Sequence, residues 1–369
     1  MRLLMLTFFF VLFTAATQTY AAIDKNTLDQ KIQTLLQDKP VKGMIYGLWV
    51  NGKPVSINAI GDSMTAVPAT TDMHFRIGGV TETMLTTLLM QLVEQKQISL
   101  DDKIARWYPN LPNANNVTVN MLANCTSGYP DYVYNEKFID DVLTHPFKQW
   151  SDQALFDYAF MKPQVFAPGT NQHYTHTDYV ILGGILSKVS KMPLAELFQS
   201  HILKKLSMQN TVFNRTATIP SPVLHSFSND RKVYEEATFW DPSWTASSGS
   251  MVSQISDLGI WANAWMKGSL LSKKSTQQLR SPDTVGKGNN KENLYFAMGF
   301  GVANHWLIQN PAFGGYSGVF AVLPEKNLVF IAFNTLKENA TDTTGNLSLK
   351  LWQNLAADLA PDYPAPEIK

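Results

Sequence analysis

Both ends of this chain are patterned as strands, which narrows what it can fold into. Near the N-terminus, GMIYGLWVNGKPVSINAIGDS (43–63) reads as two strands joined at Asn51-Gly52, a dipeptide suited to the tight turn of a β-hairpin. Near the C-terminus, SGVFAVLP and NLVFIAFN are apolar runs on either side of a Pro324-Glu325-Lys326 turn. The intervening sequence is mostly helical in pattern. NTLDQKIQTLLQ, ahead of the first strands, sets Leu28, Ile32 and Leu35 on one helical face. The segment Thr81–Gln95 carries Met84, Leu85, Leu88, Leu92 and Val93 as an apolar stripe. TDYVILGGILSKVSKMPLAELFQSHILKKL reads as two amphipathic helices broken near Lys191-Met192-Pro193, and SQISDLGIWANAWMKG as a helix capped by Ser253 or Ser256. A last helix repeats Leu347, Leu351, Leu355 and Leu359. Strands at the two ends with helices between them predict one sheet built from both termini and a helical region inserted into it. Function in such an arrangement usually lies in the cleft between the layers.

Charge removes one class of function. Lys plus Arg and Asp plus Glu both total 30 in 369 residues, so no global field recruits nucleic acid or anionic lipid. The N-terminus reads as an export signal. Arg2 precedes an apolar run from Leu3 to Phe13, and Thr19 and Ala21 suit the minus-three and minus-one positions of a signal peptidase site. Residues 1–21 are therefore expected to be removed, leaving a periplasmic or secreted protein without stable membrane insertion. No cysteine follows the run to carry a lipid. Cys125 is the sole cysteine, which excludes an intrachain disulfide and reads as a small buried hydrophobe.

Several segments line up in order with one family. FRIGGVTET, VTVNMLANCTSGYPDY, FAPGTNQHYTHTDYVILGGILSKVS, SSGSMVSQISDLGIWANAW and FGGYSGVFAVLPEKNLVFIAFN together resemble the penicillin-recognising serine hydrolases of the class C β-lactamase and DD-peptidase type. The resemblance implies an α/β (α+β) fold with a central antiparallel sheet flanked by helices. It also implies a sheet domain formed by 22–78 and 245–369 and a mostly helical domain at 79–244, with the site between them. That chemistry needs a serine and a lysine one helical turn apart, a Y-x-N segment, and a strand bearing K-T-G or H-x-G. Here the first element reads Gly79-Val80-Thr81-Glu82, the second Tyr174-Thr175-His176, and the third is assigned to Phe313-Gly314-Gly315. The H-T-S-G stretch of the helical part reads Cys125-Thr126-Ser127-Gly128. Each motif has changed at its reactive letter.

Losing the nucleophile of a serine hydrolase costs roughly 10⁴–10⁶ in rate, and glycine offers no atom to acylate. Thr81 and Thr83 are displaced along the helix and do not replace it. The expected protein is thus inactive as a serine acyl-transferase and binds a small or peptidoglycan-derived ligand in a cleft lined by Gly79, Glu82, Tyr174, His176, Phe313, Gly315 and Tyr316. No cofactor is implied. Three readings of the altered residues stand open. In one, Glu82 supports the start of its helix below an N-cap at Gly79 and hydrogen-bonds to His176. In the second, Glu82, His176 and Tyr174 activate water for a non-covalent hydrolase, with the amides of Gly79 and Tyr316 as oxyanion donors. In the third, His173 and His176 hold zinc with Glu82 opposite, although their spacing matches no established site. Phe313 is expected as an apolar wall. Tyr129, Tyr132, Trp240 and Trp244 are expected mainly in packing, with some at the rim.

Overall fold

A computed structural model describes residues 24–341 and 343–366; the expected signal segment lies outside the described residues. The main sheet has nine strands. The N-terminal part supplies β1 (Val41–Val50), β2 (Lys53–Met64) and β3 (Val67–Pro68). Two short pairings follow along the chain: β4 (Phe75–Arg76), β5 (Val212–Phe213) and β8 (Met251–Ser253) form a three-stranded sheet, while β6 (Phe227–Ser228) pairs with β7 (Glu235–Glu236). The C-terminal part returns to the main sheet with β9 (Leu294–Phe296), β10 (Gly301–Ala303), β11 (Trp306–Gln309), β12 (Ala312–Phe313), β13 (Tyr316–Leu323) and β14 (Leu328–Leu336). The order is β3-β2-β1-β14-β13-β11-β10-β9, with β12 folded onto β13, and every pairing is antiparallel. The first and last strands meet at the centre, β1 against β14.

Local chemistry explains the turns. Asn51 and Gly52 take φ of 54° and 79°, the positive pair that a two-residue hairpin requires, and Val50 faces Lys53 across it. A second such hairpin joins β12 to β13 through Gly314 and Gly315, at φ of 55° and 78°.

Eleven helices are described. They are α1 (Lys25–Leu36), α2 (Val80–Glu94), α3 (Val119–Ala123), α4 (Glu136–Thr144), α5 (Asp152–Ala159), α6 (His176–Ser190), α7 (Leu194–Phe198), α8 (Ala246–Gly249), α9 (Ile255–Lys267), α10 (Lys273–Leu279) and α11 (Leu347–Leu359). Strand alternation divides the core between the faces of the sheet. Val319, Ala321 and Leu323 of β13 share one cluster with Leu28 and Ile32 of α1 and Leu351, Trp352 and Leu355 of α11. Phe320 and Val322 point the other way, into the cluster containing Met84, Leu85 and Leu88 of α2 and Leu258, Trp261 and Trp265 of α9. Helix α6 ends where Lys191 turns left-handed at φ 57°, just before Pro193. One cap differs from expectation: α9 is preceded by Gln254, whose side chain makes no capping bond, while Ser253 belongs to β8. No described helix is long and apolar enough to cross a membrane.

Candidate functional site

Helix α2 opens at Gly79, which lies at its N-cap position without a side-chain cap. Facing it from the end of β11 is Gln309. A Cβ added to Gly79 would stand 2.5 Å from Gln309 Oε1, so the room for a side chain at residue 79 is taken by the amide. Gln309 is itself held on both sides. Its Nε2 donates to Gly299 O at 2.7 Å and to Glu82 Oε2 at 3.1 Å.

Glu82, three residues into the helix, is fully buried. Its other carboxyl oxygen accepts the Tyr174 hydroxyl at 2.5 Å. Burial pushes the Glu82 carboxyl up to about 8, against the opposing pull of the Tyr174 hydrogen bond, His176 and Gln309. Tyr174 is held well above its ordinary value, first by burial and then by the Glu82 charge.

His176 begins α6, and the cap just before it is the Thr175 hydroxyl, which accepts from Thr177 N. Its ring does not bond to Glu82, contrary to the sequence expectation. Nδ1 instead meets Asp131 Oδ2 at 2.8 Å, because the Tyr132–Tyr134 turn brings that carboxylate under the helix start. Burial lowers the imidazole, but the charge and hydrogen bond of Asp131, with Glu82 behind them, outweigh it and raise the pKa above the ordinary value. The Tyr174 and His176 rings meet edge to face at 5.0 Å.

A cleft of about 610 Å³ opens over these residues. Gly79, Tyr174, His176 and Phe313 line it, as does Gln309. Glu82, Gly315 and Tyr316, expected on its wall, do not. Glu82 lies beneath Tyr174 and Gln309. A Cβ on Gly315 would meet Phe227 O at 2.3 Å, so that residue packs against β6. Tyr316 sends its hydroxyl to Leu224 O at 2.6 Å, and its backbone pairs with Phe313 across the hairpin, which removes it from the oxyanion role expected for it. The residue facing position 79 is therefore Gln309, four places before Phe313. Phe313 still forms an apolar wall, with its ring 5.8 Å from Trp244.

Trp244 alone of the four aromatics singled out from the sequence lines the cleft. Tyr129 and Tyr132 are buried and donate to Pro112 O and Trp244 O. Tyr134, Tyr295 and Phe296, not anticipated, also line it. Thr81 and Thr83 are buried and absent from the lining, and Thr83 Oγ1 donates to Val80 O. The cleft hydroxyls of Thr245 and Ser248 donate into the backbone carbonyls of Pro242 and Thr245. Ser127 donates to Asp178 at 2.6 Å. Among the described residues no group of three His, Cys, Asp or Glu side chains is placed to hold a metal ion.

Gln309 and Asp131 were missed by sequence reasoning. Gln309 left one signal, a lone polar residue closing the apolar run Trp306–Ile308.

The β-lactamase family model matches residues 28–351, which is most of the chain. The chain belongs to the β-lactamase family. Among its relatives in that family are Protein flp of Staphylococcus aureus (strain MW2), 24% identical over 84% of this chain and 64% of that protein, and the β-lactamase of Escherichia coli (strain K12), 21% identical over 86% and 91%. The chain thus spans a little under two thirds of the first. Solved folds of the same kind include a D-stereospecific amidohydrolase from Streptomyces sp., with TM-score 0.78 at 22% identity over 90% of this chain and 98% of that one. The D-amino acid amidase from Ochrobactrum anthropi SV3, solved with L-phenylalanine, gives TM-score 0.73 at 22% identity over 89% and 99%. The matched span includes Gly79 and Glu82, the residues that the resemblance read from the sequence sets at the serine and lysine positions.

Proposed function

We propose that this protein binds a small or peptidoglycan-derived ligand in the cleft above α2 and forms no acyl-enzyme. One observation carries the reading: the space for a side chain at residue 79 is filled by Gln309, which is locked to Gly299 and Glu82. A hydrogen-bonded amide stands against the place a Cβ on residue 79 would take, and the nearby Thr245 and Ser248 hydroxyls are bonded to carbonyls. Water activation by Glu82 is disfavoured too, since its carboxyl is fully buried and already engaged by Tyr174 and Gln309. The cleft itself remains, with Tyr174, Trp244, Tyr295, Phe296 and Phe313 offering flat apolar contact. The similar fold named as a D-amino acid amidase suggests ligands built from D-amino acids as probes. Export to the periplasm or medium, expected from the first residues, belongs to the same proposal.

The test has two arms. Intact-protein mass spectrometry after incubation with a penicillin should give no added mass, and a stable adduct would overturn the non-catalytic part. Titration with muropeptides and N-acetyl-D-alanyl-D-alanine should give saturable binding. A flat response to the whole set would remove the binding role.

A further inference from the structure

The chemistry of the cleft wall says more about what it accepts. Among the described residues lining it there is no Lys, Arg, Asp or Glu. The one basic side chain on the wall is His176. Asp131 is nearly inaccessible and fixes the ring by taking Nδ1, which leaves Nε2 as the polar atom of the ring with no hydrogen-bond partner among the described residues. A carboxylate on Nδ1 holds the proton there and favours the imidazolium, whose second N–H then points away from the pair. His176 is also the first residue of the 15-residue helix α6, where the backbone adds partial positive charge. The same cleft is lined by Trp244 and Phe313, whose rings meet edge to face.

We propose that the ligand is a monoanion, bearing one carboxylate beside an aromatic or aliphatic side group, with the carboxylate received at Nε2 of His176 and the side group against Trp244 and Phe313. This rests on the cleft being a binding site and names the ligand class for it. A single imidazolium in a neutral wall suits one negative charge; a phosphate dianion would leave charge uncompensated. The groups facing the imidazole set the pH response. They are Asp131 on Nδ1, Glu82 beneath Tyr174, the Tyr174 phenol, and the Tyr132 ring at 6.1 Å. Loss of the imidazolium proton and ionisation of Glu82 both occur on raising the pH, and both disfavour an anion.

The test compares acid and amide forms of two probes, N-acetyl-D-phenylalanine and N-acetyl-D-alanyl-D-alanine, by isothermal titration. Near about pH 6 the acid should bind about tenfold or more tighter than its amide, as a charge-assisted hydrogen bond implies. The ratio should fall towards one as the pH is raised and the imidazolium loses its proton, and also in His176→Gln, which can still donate to Asp131. Should that variant fail to fold, the pH series on the unaltered protein decides. Acid and amide binding alike, or a ratio that survives His176→Gln, would overturn the inference and leave the binding role standing. Binding of neither form of either probe would overturn both.

Discussion

Tyr174 and Glu82 share a 2.5 Å hydrogen bond under the floor of the cleft, and the carboxyl at its end is cut off from solvent. The acid stays protonated in the folded protein up to about pH 8, whereas in the unfolded chain it ionises near its ordinary 4.5. Between those values the unfolded state has released a proton that the folded state keeps. Stability from this group is therefore fully present below about pH 4.5 and declines as the pH rises towards 8, with a limiting slope of about 1.4 kcal/mol per pH unit. Urea denaturation at intervals across that range should show the decline, and Glu82→Gln should flatten it. An unchanged slope in the variant would assign the pH dependence to other groups.

Gln309 and Gly79 should be coupled. Gly79→Ser places its Cβ against Gln309 Oε1 and drives the amide from its bonds to Gly299 and Glu82. Leaving such buried groups unsatisfied costs about 1–3 kcal/mol. Gln309→Ala removes the obstruction in advance, so adding Gly79→Ser to it should cost less than adding it to the unaltered protein. A double-mutant cycle by chemical denaturation measures this coupling, expected to exceed about 0.5 kcal/mol. Additive effects would mean that Gln309 does not fill the space.

The same pair shows what a sequence discloses and what it hides. Features set by neighbours in the chain were legible: the Asn51-Gly52 hairpin, the leucines of α11, and Gly79 and Glu82 one helical turn apart. Contacts made across the fold were not. Gln309 reaches Glu82 over 227 positions, and Asp131 reaches His176 over 45, with no local periodicity announcing either. The assignment to Phe313-Gly314-Gly315 erred for a physical reason. A glycine pair can line a site or make a tight turn, and here both residues have the positive φ of a hairpin turn. The shift of four residues to Gln309 becomes visible only once β11 is paired with β13.

Cys125 should be inert in the folded protein. It is fully buried, and burial with the nearby Asp178 charge drives its thiol well above the ordinary range, so almost no thiolate exists at neutral pH. Iodoacetamide should label it only as the protein unfolds, at a rate that rises with denaturant. Rapid labelling under native conditions, read by mass spectrometry, would contradict the burial.

Trp244 offers a direct report on the cleft. Of the nine tryptophans it alone is among the described lining residues, so a ligand seated against Phe313 alters one indole over a background of eight. Its side chain is half-buried, while the fold holds its backbone through the Tyr132 hydroxyl on its carbonyl at 2.6 Å. Replacing the ring should therefore disturb binding more than folding. Trp244→Phe is expected to abolish the ligand-induced fluorescence change and to shift stability by less than about 1.5 kcal/mol. Trp244→Ala, which also removes the edge contact with Phe313, should weaken probe affinity by about tenfold. A fluorescence change that persists in Trp244→Phe would locate the ligand elsewhere on the protein. Unchanged affinity in Trp244→Ala would show that the aromatic wall does not hold it.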